Sequence, residues 1–599
     1  MSHNEFLHED QVKSQLSYKD LYVRIKPYLK RHALTLTILI FIVVLMAVVS
    51  RLVPTLIGYT VDHALIKKDK ELLTSLLIGY VLLEVLTAIL SLVQIFYFQK
   101  LGARILFELR DDLITKIQTY PIDYFNKNPI GRIVTRATND VAQIGELFSN
   151  GVINIFVQGV ILVSILVSLF LISFKIAIMT LVSFPIFYYL AINLSEKTKE
   201  TLRESKKKLS QLNSFVAENL NGIRIVQLYN RINVNRNLFQ TQSAAYKELS
   251  LQSTKNYALM MPVMNLFNAF IITSAFYFCG FWGQKEGLAV GSMVAFFLHA
   301  LDIVHPFREI LEKYQQFQNS LTSAERVFTM LDEPSEISIS EKESNLSLKI
   351  FPSIEFRNLS FKYQNDLNWV LKKISLIITP GESIAIIGRT GSGKSTMINL
   401  LQGFYPAPKQ SLFIGSLPIE TIPKKWLRSK LSVVQQDNFL FKGTILQNIT
   451  LESPDISEVK IKSIAEELGL TEHLIQTQRN LYSEVEERGA NLSAGERQLI
   501  AFARILAFEP EIIVLDEATS NIDSKTEQLI QAATERITKN RTSIIIAHRL
   551  STIRNCKRIL LLDQGEIKAQ GSHQELLSES SHYRDLIEKY NSLDGVSSN

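Results

Sequence analysis

A glycine-rich loop ending in Lys-Ser-Thr is the segment of this sequence with the most specific chemical meaning. In IAIIGRTGSGKST an apolar stretch precedes Gly388, Gly391 and Gly393, which are followed by Lys394 and Ser395. The pattern G-x-x-x-x-G-K-[ST] between a strand and a helix wraps backbone N–H groups around phosphates, with the lysine on the β- and γ-phosphates and the hydroxyl on Mg²⁺. The predicted phosphate-binding residues are Gly388, Arg389, Thr390, Gly391, Ser392, Gly393, Lys394, Ser395 and Thr396.

Two adjacent acids end a later apolar stretch, EIIVLDEATS. Asp516 suits the Mg²⁺ shell, and Glu517 suits a general base that polarises an attacking water. Paired acids at the end of a strand often only cap the next helix, but the phosphate loop upstream favours the catalytic interpretation. The following apolar run, TSIIIAHRLST, ends at His548, which this strand order places near a γ-phosphate. We predict Lys394, Glu517 and His548 as the catalytic residues.

The stretch NLSAGERQL places small polar residues directly before a long amphipathic segment. Ser493 and Glu496, three residues apart, form the pattern of a capping box, which is typical of a well-made helix start. Helix N-termini also present free N–H groups and a positive dipole end, so the same stretch suits an anion site. Residues 493–496 alone do not separate the two interpretations.

The amino-terminal half has the composition of a membrane protein. The 599-residue chain is 47% hydrophobic and 20% charged, but the long apolar runs lie before Pro306. A spanning helix needs about 20 mostly apolar residues, and buried helices of a soluble core do not explain six such runs. The six predicted spans are Ala33–Ile57, Leu72–Phe98, Gly151–Phe174, Ile176–Leu194, Tyr257–Trp282 and Leu288–His305.

The distribution of basic residues predicts the orientation of these spans. The long connection over 195–256 is rich in Lys and Arg, including Lys206–Lys208, and the positive-inside rule places it in the cytoplasm together with both termini. Lys67, Lys68 and Lys70 argue mildly for the opposite orientation. The net charge of +6 is therefore assigned to membrane orientation, and no nucleic-acid partner is expected. Before the first span, SYKDLYVRIKPYLKRH predicts a basic amphipathic helix at the membrane surface, with an ordinary cytosolic lead-in helix as the alternative.

Five ionisable residues fall within the predicted spans: Arg51, Glu84, His299, Asp302 and His305. Charged groups at membrane depth are costly and usually face an interior or an aqueous cavity. The spacing of His299, Asp302 and His305 places them on one helix face. A polar cavity or a proton-coupled pair is one interpretation; hydrogen bonding between helices, or a position at the membrane boundary, is favoured.

Several further motifs occur in the order and spacing of the ATP-binding cassette. They are Tyr363 in FKY, the loop GRTGSGKST, Gln436 in VVQQD, LSAGE, LDEATS and His548. Preceded by six spans, the chain resembles a half-transporter of the ABC exporter family. This implies an all-α six-helix transmembrane domain with long cytoplasmic helical extensions, followed by an α/β P-loop nucleotide-binding domain. The corresponding boundaries are 1–32 for an N-terminal segment, 33–320 for the membrane domain, 321–353 for a linker and 354–592 for the cassette.

The resemblance also implies roles for individual residues. Tyr363 would stack on adenine, and Gln436 would join Ser395 and Asp516 at Mg²⁺ while sensing the γ-phosphate. Ser493 and Gly495 would contact the nucleotide of a second half-transporter, as would Asp523, and residues 484–489 would meet the partner's cytoplasmic loops. The expected cofactors are ATP and Mg²⁺.

The resemblance implies ATP-driven export or flipping of amphipathic drugs or lipids across a bacterial inner membrane. A nucleotide-gated channel or regulator on the same scaffold, and a peptide exporter, are the alternatives. The usual signature is LSGGQ, and here Ala494 replaces a glycine and Glu496 a glutamine. A methyl group near phosphate and an added negative charge are both expected to weaken nucleotide contact. The sequence therefore favours a heterodimer, with a different half-transporter, over a homodimer.

Overall fold

The chain divides into two compact units. The computed structural model describes residues 18–146, 151, 153–182, 184–283, 285, 287–336, 353–363, 368–436, 438–516, 524–547 and 550–596. The membrane unit comprises Met1–Gln118 and Ile130–Glu333, and the cassette unit comprises Thr119–Pro129 and Pro334–Asn599. A short segment within the first long connection therefore groups with the cassette rather than with its neighbours in sequence.

The described part of the membrane unit contains six helices that are long and apolar enough to cross a membrane, as predicted. The second, fourth and fifth extend well beyond the predicted spans, because the two long connections continue the same helices, whereas the third lies within its predicted range. The candidate spans are Ala33–Leu65, Lys70–Gln118, Ile153–Ile172, Phe174–Asn221, Ile232–Gly283 and Val290–Lys313.

Individual helices within these candidate spans break where the backbone changes conformation. π-Helical turns at Val61–Leu65 and Cys279–Gly283 end the first and fifth candidate spans, and a third at Arg136–Asp140 lies in the connection between the second and third. The helices of the unit are Tyr18–Arg31, Ala33–Thr60, Lys70–Gln118, Ile130–Thr135, Val141–Glu146, Ile153–Ile172, Phe174–Leu181, Phe184–Asn221, Ile223–Leu228, Ile232–Phe278, Val290–Leu301 and Val304–Asp332.

The first and last spans approach each other closely at two glycines. A Cβ built on Gly291 would lie 1.9 Å from the carbonyl oxygen of Gly58, so neither position admits a side chain without movement. The carboxylate of Asp62 accepts a hydrogen bond from the Gly291 N–H at 2.7 Å. Small residues allow such approach in membranes, where close packing and interhelical hydrogen bonds drive association.

Two of the ionisable residues in the spans form an interhelical ion pair. Arg51 Nη1 lies 3.0 Å from Asp302 Oδ2, which joins the first span to the sixth. His299 is fully buried, and among the described residues neither of its ring nitrogens has a hydrogen-bond partner. Asp302 therefore pairs with Arg51 rather than with His299, in line with hydrogen bonding between helices.

The N-terminal helix, Tyr18–Arg31, is anchored to the second span. Its apolar side chains Leu21 and Ile25 are buried. The Tyr28 hydroxyl donates to Asp112 at 2.7 Å, and Arg31 pairs with Glu108 at 3.0 Å. Its position at a membrane surface remains a prediction.

The linker predicted over 321–353 begins later than expected. The final helix of the membrane unit, Val304–Asp332, continues past residue 321. Ser323 and Arg326 on this helix bond to Asp140, with Arg326 donating from two nitrogens at 2.7 and 2.8 Å. This partly buried network ties the helix, beyond residue 321, to Asp140.

The cassette unit contains a large mostly parallel sheet and a smaller antiparallel one. The six-stranded sheet has the order β12-β11-β3-β10-β9-β6, the four-stranded sheet β2-β1-β4-β5, and β7 pairs with β8. The strands are β1 Ile354–Phe361, β2 Leu371–Ile378, β3 Ser383–Ile387, β4 Leu412–Ile414, β5 Leu417–Pro418, β6 Leu431–Val434, β7 Gly443–Thr444, β8 Glu484–Val485, β9 Ile512–Asp516, β10 Thr542–Ile546, β11 Arg558–Asp563 and β12 Glu566–Gly571.

The helices of the cassette unit surround these sheets. They are Ile122–Lys127, Lys394–Leu401, Lys424–Lys430, Ile445–Thr450, Glu458–Glu467, Leu470–Gln476, Ala494–Phe508, Ser524–Thr538, Leu550–Asn555, His573–Glu579 and Ser581–Val596.

The large sheet separates two hydrophobic cores. On β3, Ala385 and Ile387 belong to one core and Ile384 and Ile386 to the other, as the alternation of side chains along a strand requires. The helix Lys394–Leu401 packs into the core shared with the antiparallel sheet, while Ala494–Phe508 packs into the opposite core. The central strands are buried on both faces, which explains why they are continuously apolar.

The segment Thr119–Pro129 carries the short helix Ile122–Lys127 within the cassette unit. Asn126 Nδ2 donates to the Tyr405 hydroxyl at 2.8 Å, and the Glu336 N–H donates to the Thr119 carbonyl at 2.7 Å. The carboxylate of Glu336 in turn accepts from Lys424 and Arg428. The segment is therefore held through Thr119 at its start and through Asn126 near its end.

Candidate nucleotide-binding site

The phosphate loop, Asp516 and Gln436 lie at one edge of the large sheet. β3, β10, β9 and β6 are parallel neighbours, so their carboxyl ends lie together. The phosphate loop follows β3, Asp516 ends β9, and Gln436 follows β6. In open α/β sheets ligands bind outside the carboxyl ends of the strands, which matches this arrangement.

The backbone of the phosphate loop depends on glycine at two positions. A Cβ on Gly388 would lie 2.1 Å from the Leu562 carbonyl oxygen, a distance that no side chain tolerates. Gly393 has φ +107° and caps the helix Lys394–Leu401 from a left-handed conformation. The loop therefore folds tightly enough for its backbone N–H groups to approach a phosphate.

Lys394 is buried and its ammonium is held inside the loop. Nζ donates to the carbonyl oxygens of Gly388 at 2.7 Å and Arg389 at 3.1 Å. Burial lowers the pKa of Lys394, and the negative charge of Asp516 partly offsets this. An ammonium in a partly desolvated loop is a strong partner for phosphate oxygens, because little water competes for it.

Three oxygen-bearing side chains at this edge fit a magnesium ion. The Ser395 hydroxyl and the Gln436 amide are exposed, and the Asp516 carboxylate is half-buried at the end of β9. Mg²⁺ prefers hard oxygen donors and is usually held by one or two carboxylates together with substrate phosphates. The donor set therefore suits Mg²⁺ bound together with a nucleotide.

Tyr363 lies beside the phosphate-loop helix. Its hydroxyl is 3.0 Å from the Thr396 hydroxyl, and its ring makes edge contacts with Phe361 and Tyr405 at centroid distances of 5.2 and 4.9 Å. The structure thus places an aromatic ring next to the phosphate loop, which is the arrangement that base stacking would require.

The helix Ala494–Phe508 begins with the predicted capping box, which is confirmed. Ser493 Oγ accepts from the Glu496 N–H at 3.1 Å, and Glu496 Oε2 accepts from the Ser493 N–H at 2.7 Å. Ser493 and Ala494 are exposed, whereas Gly495 is buried. Ala494 is the first helical residue and has no positive φ, so its backbone conformation does not require glycine.

Sequence reasoning missed Arg479, which lies against this helix start. Its Nη1 donates to Glu496 Oε1 at 2.8 Å and its Nη2 to the Asn491 carbonyl at 2.6 Å. Burial raises the pKa of Glu496, but the Ser493 N–H and Arg479 outweigh this, so the pKa falls below its usual value. The carboxylate of Glu496, in place of the usual glutamine, indicates that a cation is needed nearby. Nothing in the sequence identifies Arg479 as that cation.

The remaining predicted residues lie outside the part of the chain that the structure describes. These are Glu517, His548 and Asp523. β9 and β10 end immediately before Glu517 and two residues before His548, and Ile546 pairs in register with Asp516. Their catalytic roles remain predictions.

Comparison with known proteins identifies the two units. Residues 36–304 match the ABC transporter transmembrane region, and residues 371–520 match the ABC transporter family. An uncharacterized ABC transporter ATP-binding protein of Bacillus subtilis (strain 168), YknV, is 33% identical over 567 residues, which cover 94% of this chain and 93% of the relative.

Two further relatives carry more specific names. A probable multidrug resistance ABC transporter ATP-binding/permease protein of Bacillus subtilis (strain 168), YheH, is 34% identical over 501 residues, covering 83% of this chain and 73% of the relative. An ATP-dependent lipid A-core flippase of Syntrophus aciditrophicus (strain SB) is 28% identical over 567 residues, covering 95% and 94%. The six-helix membrane unit, the phosphate loop and these matches together identify the chain as a membrane-spanning ATPase of the ABC transporter family, which couples ATP hydrolysis to transport.

Proposed function

We propose that this chain exports or flips amphipathic drugs or lipids across a bacterial inner membrane. The observation that carries the proposal is the fusion, in one chain, of six apolar helices with a sheet edge bearing Lys394 and Asp516. The printed names of the relatives, a multidrug transporter and a lipid A-core flippase, support these two substrate classes. Apolar spans with few interior charges suit such substrates.

The cassette residues have distinct roles in this proposal. Lys394 and the loop N–H groups bind the β- and γ-phosphates, and Tyr363 stacks on the base. Mg²⁺, when bound by Ser395, Asp516 and Gln436, supplies charge neutralisation for the phosphates. Glu517 polarises the attacking water and His548 positions it.

The ATPase works as a dimer in which two cassettes close around nucleotide. Each ATP lies between one phosphate loop and the helix start at Ser493 of the other cassette. Closure is favoured while the γ-phosphate is present and is lost after hydrolysis, so ATP biases the membrane helices between two states.

A heterodimer stays a prediction. It rested on Ala494 and Glu496, and the geometry of the helix start weakens both grounds. Ala494 adopts an ordinary helical conformation, and the charge of Glu496 is paired with Arg479. The tagged chain is purified from cells that also make an untagged copy, and every chain in the dimer is identified by its mass. Recovery of the untagged copy indicates a homodimer, and recovery of a different half-transporter indicates a heterodimer.

The cassettes face the cytoplasm in this proposal. The basic connection containing Lys206–Lys208 supports that orientation through the positive-inside rule. Cysteines introduced one at a time at Lys67 and Lys207, with Cys279 and Cys556 replaced, are labelled from outside intact cells with a membrane-impermeant reagent, and only the cysteine at position 67 is expected to react.

The decisive test of function compares the wild-type dimer with the Glu517→Gln variant in liposomes. We expect wild-type ATP hydrolysis to exceed that of the variant by at least about a hundredfold, the size of a general-base contribution. Fluorescent lipid and amphipathic-dye transport is measured in the same vesicles. Hydrolysis without transport in either assay would oppose the substrate classes, and ion conductance with no turnover would indicate a nucleotide-gated channel instead.

A further inference from the structure

Glu496 is a buried carboxylate at the start of the helix proposed to contact the partner's nucleotide. The residue is 3% exposed. One carboxylate oxygen accepts from the Ser493 N–H at 2.7 Å and the other from Arg479 Nη1 at 2.8 Å. A buried charge of this kind is stable only when it is paired and hydrogen-bonded. Arg479 is the cation of that pair.

Arg479 reaches Glu496 from a different segment of the chain. It lies between the helix Leu470–Gln476 and strand β8, and its second nitrogen donates to the Asn491 carbonyl at 2.6 Å. One guanidinium therefore holds both the acid inside the helix start and the backbone just before Ser493. His473 Nε2 is 4.0 Å from the same Glu496 oxygen, which is beyond hydrogen-bond distance.

The pairing with Arg479 changes the electrostatic effect that a glutamate has at position 496. An unpaired carboxylate near a γ-phosphate repels it, whereas a carboxylate neutralised by a guanidinium does not add net charge. Glutamine keeps the same cap without a charge, since either side chain reaches the N-cap N–H. The chain therefore needs Arg479 for a reason that a glutamine-bearing helix start lacks.

We propose that Arg479 is a positioning residue for ATP turnover. It keeps the helix start at Glu496 electrically neutral and correctly capped, so that this helix start can bind the γ-phosphate of the ATP held by the partner's phosphate loop. The proposal rests on the composite dimer site described under the proposed function. The proposal predicts that replacing Arg479 lowers ATP turnover only when residue 496 is a glutamate.

The test is a double-mutant cycle on the full-length dimer, with Arg479→Gln, Glu496→Gln and both together. Glutamine at 479 keeps a donor for Asn491 but removes the charge. We expect Arg479→Gln to lower kcat/KM for ATP about tenfold or more, chiefly through KM, because it leaves a buried carboxylate unpaired. Glu496→Gln supplies the uncharged reference background, and the double variant is expected to return to within about twofold of Glu496→Gln.

Arg497→Gln is the matched control. Arg497 also donates to backbone near the helix start, to the Leu492 carbonyl at 2.7 Å, but it does not bond to Glu496. Its effect is expected to be the same whether residue 496 is Glu or Gln. If Arg479→Gln is equally harmful in both backgrounds, Arg479 is only structural and the proposal fails; if it is harmless, the proposal also fails.

A second measurement separates this proposal from the proposed function. In the Glu517→Gln background, ATP-induced thermal stabilisation of the dimer reports nucleotide binding without turnover. We expect Arg479→Gln to reduce that increase in Tm, and Glu496→Gln to restore it. A wild-type dimer that hydrolyses ATP with this Arg479 dependence but transports neither substrate class supports the proposal while opposing the transport function. Loss of the dependence overturns the proposal whatever the ATPase result.

Discussion

The two helix starts of the cassette unit that are proposed to meet phosphate are built in opposite ways. The helix Lys394–Leu401 follows Gly393, which has no side chain to cap it, whereas Ala494–Phe508 follows Ser493 in a complete capping box. At the first helix start the backbone N–H groups remain free to bind a ligand, and the residue before the helix must be glycine. The second has part of its N-terminus satisfied by the protein and therefore tolerates side chains. The difference shows that an anion site and a well-capped helix are not the same construction.

Charge is also handled differently at the two starts. Lys394 is a buried cation held by two backbone carbonyls, so its charge remains available to a phosphate. Glu496 is a buried anion whose charge is neutralised by the guanidinium of Arg479. The side chain of Lys394 attracts phosphate, whereas the side chain of Glu496 only avoids repelling it.

The largest expected effect is at the first start. Lys394→Ala removes the buried ammonium that faces the phosphates, and we expect ATP hydrolysis to fall by about a hundredfold or more, as for other preorganised charge partners. The assay is steady-state ATPase of the purified dimer. Lys409→Ala, at an exposed lysine of the same unit, is the control and should leave the rate unchanged. Near-wild-type hydrolysis by the Lys394 variant would remove the phosphate loop from the mechanism.

A methyl group tests the demand for glycine at the phosphate loop. Gly388→Ala places a Cβ against the Leu562 carbonyl, and we expect a loss of about 2 kcal/mol in stability from overpacking. Thermal melting of the purified chain measures it.

The converse change at the second start is the control for the glycine test. Ala494→Gly is expected to cost less than about 1 kcal/mol, since Ala494 is exposed and helical. Equal effects of Gly388→Ala and Ala494→Gly would contradict the contrast between the two starts.

Removing the cap at the second start should have a smaller effect on stability. Ser493→Ala loses the hydroxyl that accepts from the Glu496 N–H, at a cost of about 1 kcal/mol. We expect it also to raise KM for ATP, because Ser493 is exposed at the helix start that is proposed to contact the partner's nucleotide. Ser572→Ala removes a capping box of the same design at the helix His573–Glu579 and should lower Tm without changing KM. A similar rise in KM for both variants would mean that capping alone matters.

The smallest effect concerns pH. The pKa of Glu496 lies below its ordinary 4.5, so the ionised form is favoured in the folded chain. The resulting stabilisation is fully present above pH 4.5 and disappears as the pH falls through the lowered pKa. Wild type should therefore lose more Tm than Glu496→Gln below pH 4.5 and the same amount between pH 5 and 7. Parallel curves throughout would show that the ion pair does not stabilise the folded state.

Local features of this chain could be predicted from its sequence, and long-range partners could not. The Ser493–Glu496 cap and the six spans follow from patterns of a few residues or from 20-residue apolar runs, and both are confirmed. Arg479 is 17 residues from Glu496, in a loop without periodicity, so no local rule pairs them. The Arg51–Asp302 pair shows the same limit: both residues were notable, but their pairing depends on how two distant helices pack.

Grouping in space also differs from grouping in sequence. Residues 119–129 lie between two membrane-unit segments, yet they belong to the cassette unit, because Asn126 and Thr119 find hydrogen-bond partners there. A boundary placed by composition cannot detect this, since the segment is short and moderately polar. The chain after Val304 gives a related case, in which the helix continues through the predicted start of the linker.

The membership of Thr119–Pro129 in the cassette unit has a consequence for biosynthesis. This segment leaves the ribosome more than 200 residues before Pro334, the next residue of its own unit. In the folded chain the unit therefore combines an early and a late piece, and four candidate spans are synthesised between them. A cassette produced separately from Pro334 onward lacks the partner of Tyr405 and is expected to be less soluble than the same fragment supplied with a peptide of residues 119–129.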